Sequence, residues 1–187
     1  MEKIIGLGRL GCAVAEQLTA YPEYRIYKID SEIDERGSLS IGYHKNIKEY
    51  EEGIDGDEVK IYLVEGGDPI AGATLKILEA VKDTEINVLY ICPDREMVSE
   101  IQKRDDKICF NVLQQYARSG AFKRIILINK PDVEDLVGDI PLGEYEKSIS
   151  YFISYVVAMI NFFVNTDTVL ENKINPPDTA RMITYGV

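Results

Sequence analysis

Short apolar runs alternate with segments of helical periodicity along most of the chain. Lys3-Ile4-Ile5 precedes a segment at about 11–20 in which Ala13, Val14, Gln17 and Leu18 mark a helix. Tyr24-Arg25-Ile26-Tyr27-Lys28-Ile29-Asp30 reads as a second strand ending in a carboxylate. Residues 31–57 are polar and glycine-punctuated, with at most a short helix near 46–52. A strand at 59–64 leads to a helix at about 70–82, with Leu75, Ile77, Leu78 and Val81 on its apolar side. Ile86–Ile91 is a buried strand ended by Cys92-Pro93-Asp94. A long helix is predicted over 97–119, with Ile108, Val112, Leu113 and Tyr116 inward and Gly120 closing it. Arg124–Ile128 is the next buried strand, and 132–147 reads as an acidic loop containing Gly138, Pro141 and Gly143. Such alternation predicts an α/β fold of three layers, a mainly parallel sheet with helices on both faces.

The segment at about 146–164 changes the picture, because no charged residue occurs from Ser148 to Thr166. Its length alone would permit a membrane span. However, Ser150, Ser154, Ala158, Asn161 and Asn165 form a small or polar stripe. Ile149, Phe152, Ile153, Val156, Ile160 and Phe163 form an apolar one. A helix buried inside a globular protein explains both, so no membrane partner is expected. The domain reading is an α/β unit over 1–165 that includes this helix. Residues 166–187, with the turn Asn175-Pro176-Pro177-Asp178, are a tail or the start of a missing second domain.

With 187 residues, 45% of them hydrophobic, the chain can bury one real core. Its net charge of -11 argues against nucleic acid, whose phosphates need clustered Lys and Arg. Cys12, Cys92 and Cys109 lack metal or redox spacing and read as free thiols of a reducing compartment. His44 is the single histidine, which puts most histidine-dependent triads and metal sites out of reach. Glu2 and Lys3 lead straight into the first strand, so no secretory leader is expected.

The candidate chemistry lies in two glycine-rich turns, each between a strand and a helix. The first, Gly6-Leu7-Gly8-Arg9-Leu10-Gly11, fits GxGxxG, and Asp30 follows about twenty residues later at the next strand end. In a dinucleotide site that carboxylate would hold ribose hydroxyls; otherwise the turn is a tight connection and Asp30 a solvated strand end. Cys12 sits where a helix N-terminus could lower its pKa, or where burial against the sheet keeps it inert. The second turn is Glu65-Gly66-Gly67-Asp68-Pro69-Ile70-Ala71-Gly72. Two turns suggest two walls around a nucleotide's phosphates. Asp68 within the second wall would repel a phosphate by roughly 1–4 kcal/mol, or it caps the following helix. Asp105-Asp106 with Glu100 reads as a solvated helix face. Asp132, Glu134, Asp135 and Asp139 read as a solvated loop.

GLGRLGCAVAEQL is similar to the nucleotide-binding regulatory domains of potassium transport systems, over the first thirty residues only. The order of elements, with its second and richer glycine turn, resembles the tubulin/FtsZ superfamily over nearly the whole chain. INVLYICPD resembles that family's strand after the second turn, and VLQQYARSG with FKRIILINKPDVEDL its next helix–strand pair. The helix at 146–164 occupies the place of the central helix, and ENKINPPDTARMI resembles the loop that reaches the next subunit.

The resemblance implies nucleotide contacts from Gly6, Gly8, Arg9, Gly11, Cys12, Asp30, Gly66, Gly67, Asp68, Gly72, Asn129 and Ser154, with GTP or GDP as ligand. Its departures are equally informative. Where the family's second turn is close to GGGTGTG, this chain has Asp68, Pro69 and Ile70. Ser154 stands where the central helix presents a base-contacting acid. In the family's NxDxxD pattern, Asn175 matches the Asn, but Pro177 and Ala180 replace the acids. Asp178 is the carboxylate nearby, one position out of register. Asn175 and Asp178 are therefore weak catalytic candidates, and a GTPase reading is disfavoured. Asn129 has the ordinary alternative of a turn former.

The resemblance then implies a tubulin/FtsZ-like domain acting in self-assembly or as a structural part of a larger, phage-type assembly. Its partners would be itself or other proteins, in the cytoplasm or in a virion. Its site would hold GTP, GDP or no nucleotide. The alternative is a Rossmann-type regulatory domain binding NAD or an adenine nucleotide through Gly6, Gly8, Gly11 and Asp30.

Overall fold

The computed structural model describes residues 2–30, 59–80, 85–166, 176–177 and 179–184. These form an α/β fold around one parallel sheet. Its strands are β1 (Glu2–Leu7), β2 (Tyr24–Ile29), β3 (Val59–Glu65), β4 (Asn87–Cys92), β5 (Arg124–Asn129) and β6 (Met182–Thr184). The order is β2-β1-β3-β4-β5-β6, and every neighbouring pair is parallel. The short helix considered near 46–52 lies outside the described residues, as do Asn175 and Asp178.

Side-chain alternation along the strands builds two cores. Ile4, Leu63, Leu89 and Ile126 face one side of the sheet. There they meet α1 (Gly8–Leu18), α4 (Lys130–Val137) and α5 (Tyr145–Asn165) through Val14, Val133 and Ile153. Ile5, Tyr62, Val88 and Tyr90 face the other side. They meet α2 (Thr74–Ala80) and α3 (Glu100–Ser119) through Ile77, Leu113 and Ala117. Both faces are covered, which is why the central strands read as continuous apolar runs.

Three local expectations need correction. Helix α3 turns Leu113 and Ala117 inward, whereas Ile108 and Tyr116 are exposed. The inward residue of its first half is Asp106, only 1% exposed, so this carboxylate is not part of a solvated face. The helix begins at Glu100 behind a Ser99/Gln102 capping box and ends on Gly120 in the left-handed conformation.

The stretch read as an acidic loop, 132–147, holds most of α4 and the first residues of α5. Pro131 at its start needs no hydrogen-bond partner for a missing N–H, and Asp132 complements the helix dipole. Acidic residues and the following Gly138 and Pro141 disguised a short helix as a connection.

Helix α5 is half-buried, not enclosed. Ile149, Ile153 and Val157 are buried, but so are Ser150, Ser154 and Ala158 of the small stripe. Small side chains let the backbone approach its support, and the two hydroxyls are satisfied by Lys147 and Tyr151 carbonyls of the same helix. Asn161 donates to Tyr24 Oη (2.5 Å) and Glu2 Oε2 (2.9 Å), tying the far end of α5 to β1 and β2. Phe163, expected inside, is exposed together with Tyr151, Tyr155, Met159 and Phe162. Among the described residues no helix is long and apolar enough to cross a membrane.

Candidate functional site: a cleft between two glycine turns

From β1 the chain crosses to β2 on one side and, later, to β3 on the other. The carboxyl ends of β1 and β3 therefore flank the point where the strand order reverses, where open parallel sheets leave a crevice. Both glycine turns leave from that edge. A cleft of about 380 Å³ opens between them, lined by Arg9, Asp30, Gly66, Gly67 and Asp68 among others.

The glycines are accounted for by protein atoms. A Cβ on Gly6 would stand 2.8 Å from the Ala15 Cβ, and one on Gly11 would stand 2.8 Å from the Leu63 carbonyl oxygen. Both thus permit the close packing of α1 against β1 and β3. Gly67 has φ of 77° and would push a Cβ to within 2.8 Å of the Gln102 carbonyl oxygen. At Gly66 an added Cβ would collide with Asp106 Oδ1 and Tyr90 Oη. Gly72 has open space around it and lies outside the cleft lining.

Gly8, with φ of 72°, faces Asp68: its Cβ would sit 2.6 Å from the Asp68 Cγ. The carboxylate bridges the two turns. Oδ1 accepts from Ile70 N–H (2.9 Å), a turn contact two residues on rather than the expected helix cap. The 3₁₀ turn Ala71–Ala73 has Ile70 as its cap residue, and α2 starts only at Thr74. Oδ2 accepts from Arg9 N–H (3.3 Å), one of the amides at the start of α1. An anion supplied by the chain itself therefore sits against the first glycine turn.

The rest of the cleft is paired. Arg9 Nε donates to Glu146 Oε2 (2.6 Å), and this partner raises the Arg9 pKa. Lys130 Nζ lies 2.9 Å from Glu65 Oε1, with both side chains largely buried. Lys130 also lies 5.8 Å from the centre of the Tyr145 ring, over its face. Tyr145 in turn donates to Glu134, and burial with that contact raises its pKa. Four lining carboxylates (Asp30, Glu65, Asp68 and Glu146) thus oppose two lining cations, Arg9 and Lys130. Among the described residues no three His, Cys, Asp or Glu side chains gather to hold a metal ion.

Burial raises the pKa of Asp68, with Asp30 adding to the effect and the Ile70 and Arg9 amides opposing it. Burial likewise raises Glu65, against the pull of Lys130. The folded chain thus holds both protons to higher pH than the unfolded chain does. Their stabilising contribution is complete below the ordinary carboxylate range and declines as pH rises through the raised folded values. Asp68→Asn is expected to match the parent's unfolding midpoint in acid and to exceed it near neutrality. Coincident urea curves at neutral pH would contradict that account.

The remaining candidates separate from this cluster. Cys12 Sγ lies 3.3 Å from the Gly6 carbonyl and 3.5 Å from that of Ile29. Burial pushes its pKa up to about 11, the inert alternative. Ser154 is buried outside the cleft lining, and Asn129 precedes α4 as an exposed cap residue, also outside it. The sequence reading missed Glu65, Lys130, Tyr145 and Glu146 as lining groups. Glu65 and Lys130 could have been found from their places at the carboxyl ends of β3 and β5, which lie along the same edge of the sheet.

No protein-family model matches the chain, and no curated protein matches it in sequence. Among 41 solved chains that match its fold is CetZ from Methanosaeta thermophila, with a TM-score of 0.64 and 13% identity. The match covers 90% of this chain and 56% of CetZ, so the chain spans little more than half the length of that protein. The described residues therefore have a tubulin/FtsZ-like α/β fold.

Proposed function

We propose that the chain is a tubulin/FtsZ-like domain that acts by assembling with itself or with other proteins, as a structural part rather than a nucleotide-hydrolysing one. The observation that carries this reading is the Asp68 carboxylate against Gly8, accepting from the Arg9 amide. A phosphate at the same amide would have to displace a fixed negative charge and would meet three further lining carboxylates. That supports weak or absent binding of GTP or GDP and negligible turnover. An assembly that needs no hydrolysis is consistent with such a cleft, including a fixed one such as a virion.

Electron microscopy of the purified protein with and without GTP tests the proposal. Assemblies indifferent to GTP, alone or with copurifying proteins, are expected. Filaments that form only with GTP, together with phosphate release, would refute it.

The alternative, binding of NAD or an adenine nucleotide, draws support from Asp30, which lines the same cleft at the end of β2. Asp68 beside Gly8 stands in its way equally, because a pyrophosphate would approach the same turn. Calorimetric titration with NAD beside GDP separates the two ligands.

A further inference from the structure

The outward face of α5 carries Tyr151, Tyr155, Met159, Phe162 and Phe163, exposed by 63%, 51%, 45%, 64% and 62%. Tyr151, Tyr155, Met159 and Phe162 follow one another at helical spacing, so they form a continuous stripe. Aromatic side chains offer about 150–250 Å² each. At these exposures the five residues present on the order of 500 Å² of largely apolar surface. Such an area is large for a patch left to water. In an interface about 65% apolar it would form the centre of a contact of roughly 800 Å² per partner, the size of a stable pair.

We propose that this face of α5 pairs with the same face of a second copy of the chain. Charge is the reason for choosing that occupant. Each copy carries a net charge of -11, so most encounters between two copies are repulsive. Ser148 to Thr166 holds no charged residue, and two such helices can meet without opposing like charges. The face likewise offers no charge by which an oppositely charged partner would be selected. In a two-fold arrangement the apolar stripe is complementary to itself, and the tyrosine hydroxyls can remain at a wet rim. The inference rests on the assembly reading above and names one contact within it.

Analytical ultracentrifugation of the parent chain and of a Tyr155→Glu/Phe162→Glu variant tests the pairing. Both positions are exposed, so the variant should keep the parent's circular dichroism and melting temperature as a monomer. The parent is expected to sediment as a dimer, with at least a hundredfold weaker association in the variant. As an independent check, Met159→Cys lies near the middle of the stripe and should form an interchain disulfide on mild oxidation. The three native thiols are half-buried.

A parent monomer at all soluble concentrations would overturn the pairing, as would a dimer untouched by the substitutions. Protection of the stripe by other residues of the same chain would appear as that monomer. A monomer leaves assembly with other proteins standing. GTP-dependent filaments would instead refute the assembly reading whatever α5 does.

Discussion

Gly66→Ala is expected to cost about 3–5 kcal/mol of stability, the range for breaking a buried charged contact. The added methyl would occupy the space of Asp106 Oδ1 and Tyr90 Oη, which are themselves bonded at 2.7 Å. Neither partner can yield cheaply. Tyr90 is a central strand residue 1% exposed, and Asp106 is equally buried and held by Arg95 at 3.1 Å. The glycine backbone is also fixed, because Gly66 N–H donates to the Ile91 carbonyl at 2.9 Å. The methyl must therefore expel the carboxylate from its bonds or lift α3 from the sheet. For a domain whose whole stability is on the order of 5–15 kcal/mol, that is a large fraction.

Urea denaturation measures the loss directly. A double-mutant cycle with Asp106→Ala identifies its cause. Removing the carboxylate makes room for the methyl, so the two costs should be strongly less than additive. Additive costs, or a Gly66→Ala cost below about 1 kcal/mol, would show that the contact does not explain the glycine.

Removing the charge of Asp68 should have the largest effect on binding. Asp68→Asn keeps an oxygen for the Ile70 amide and deletes the negative charge, and Asp68→Ala also vacates the space beside Gly8. Each unit of opposing charge is worth roughly 1–4 kcal/mol at a few ångströms, or about five- to a thousandfold in affinity. Pyrophosphate and GDP are therefore expected to bind Asp68→Ala measurably in calorimetry, Asp68→Asn less tightly, and the parent chain weakest. NAD run in parallel reads the alternative. Equal affinities across the three proteins would mean that Asp68 does not guard the cleft. Loss of the Ile70 contact should cost only about 1 kcal/mol, so the alanine variant is expected to stay folded.

How far the site was legible depends on what each signal reports. The two glycine turns and their strand-to-helix settings could be read directly, since glycine spacing is local. Their purpose could not. Gly66 answers to Asp106, forty residues away, and Gly8 to Asp68 on another strand's turn. Glycine in a sequence announces that something comes close, without saying whether it is a phosphate or a side chain. Asp106 illustrates the same limit: beside Asp105 on a charged helix it looks solvated, and only the packing of α3 over β4 buries it. The serines of α5 misled in the opposite direction, because small polar groups that bond to their own helix pack as readily as alanine.

The positions of β1 to β5, their parallel arrangement and the covering of both sheet faces follow from hydrophobic periodicity. Burial acts residue by residue and leaves its mark on each of those segments. Strand β6, three residues within the stretch read as a tail, joins the sheet only through its pairing with β5. Which strands lie side by side, and hence that both turns border one cleft, is decided by the crossover connections that place β1 between β2 and β3. The same three-dimensional placement sets an aspartate where an anion would otherwise sit and leaves one side of α5 apolar and uncovered among the described residues. Those outcomes depend on distances between groups far apart in the chain, and no local pattern encodes such distances.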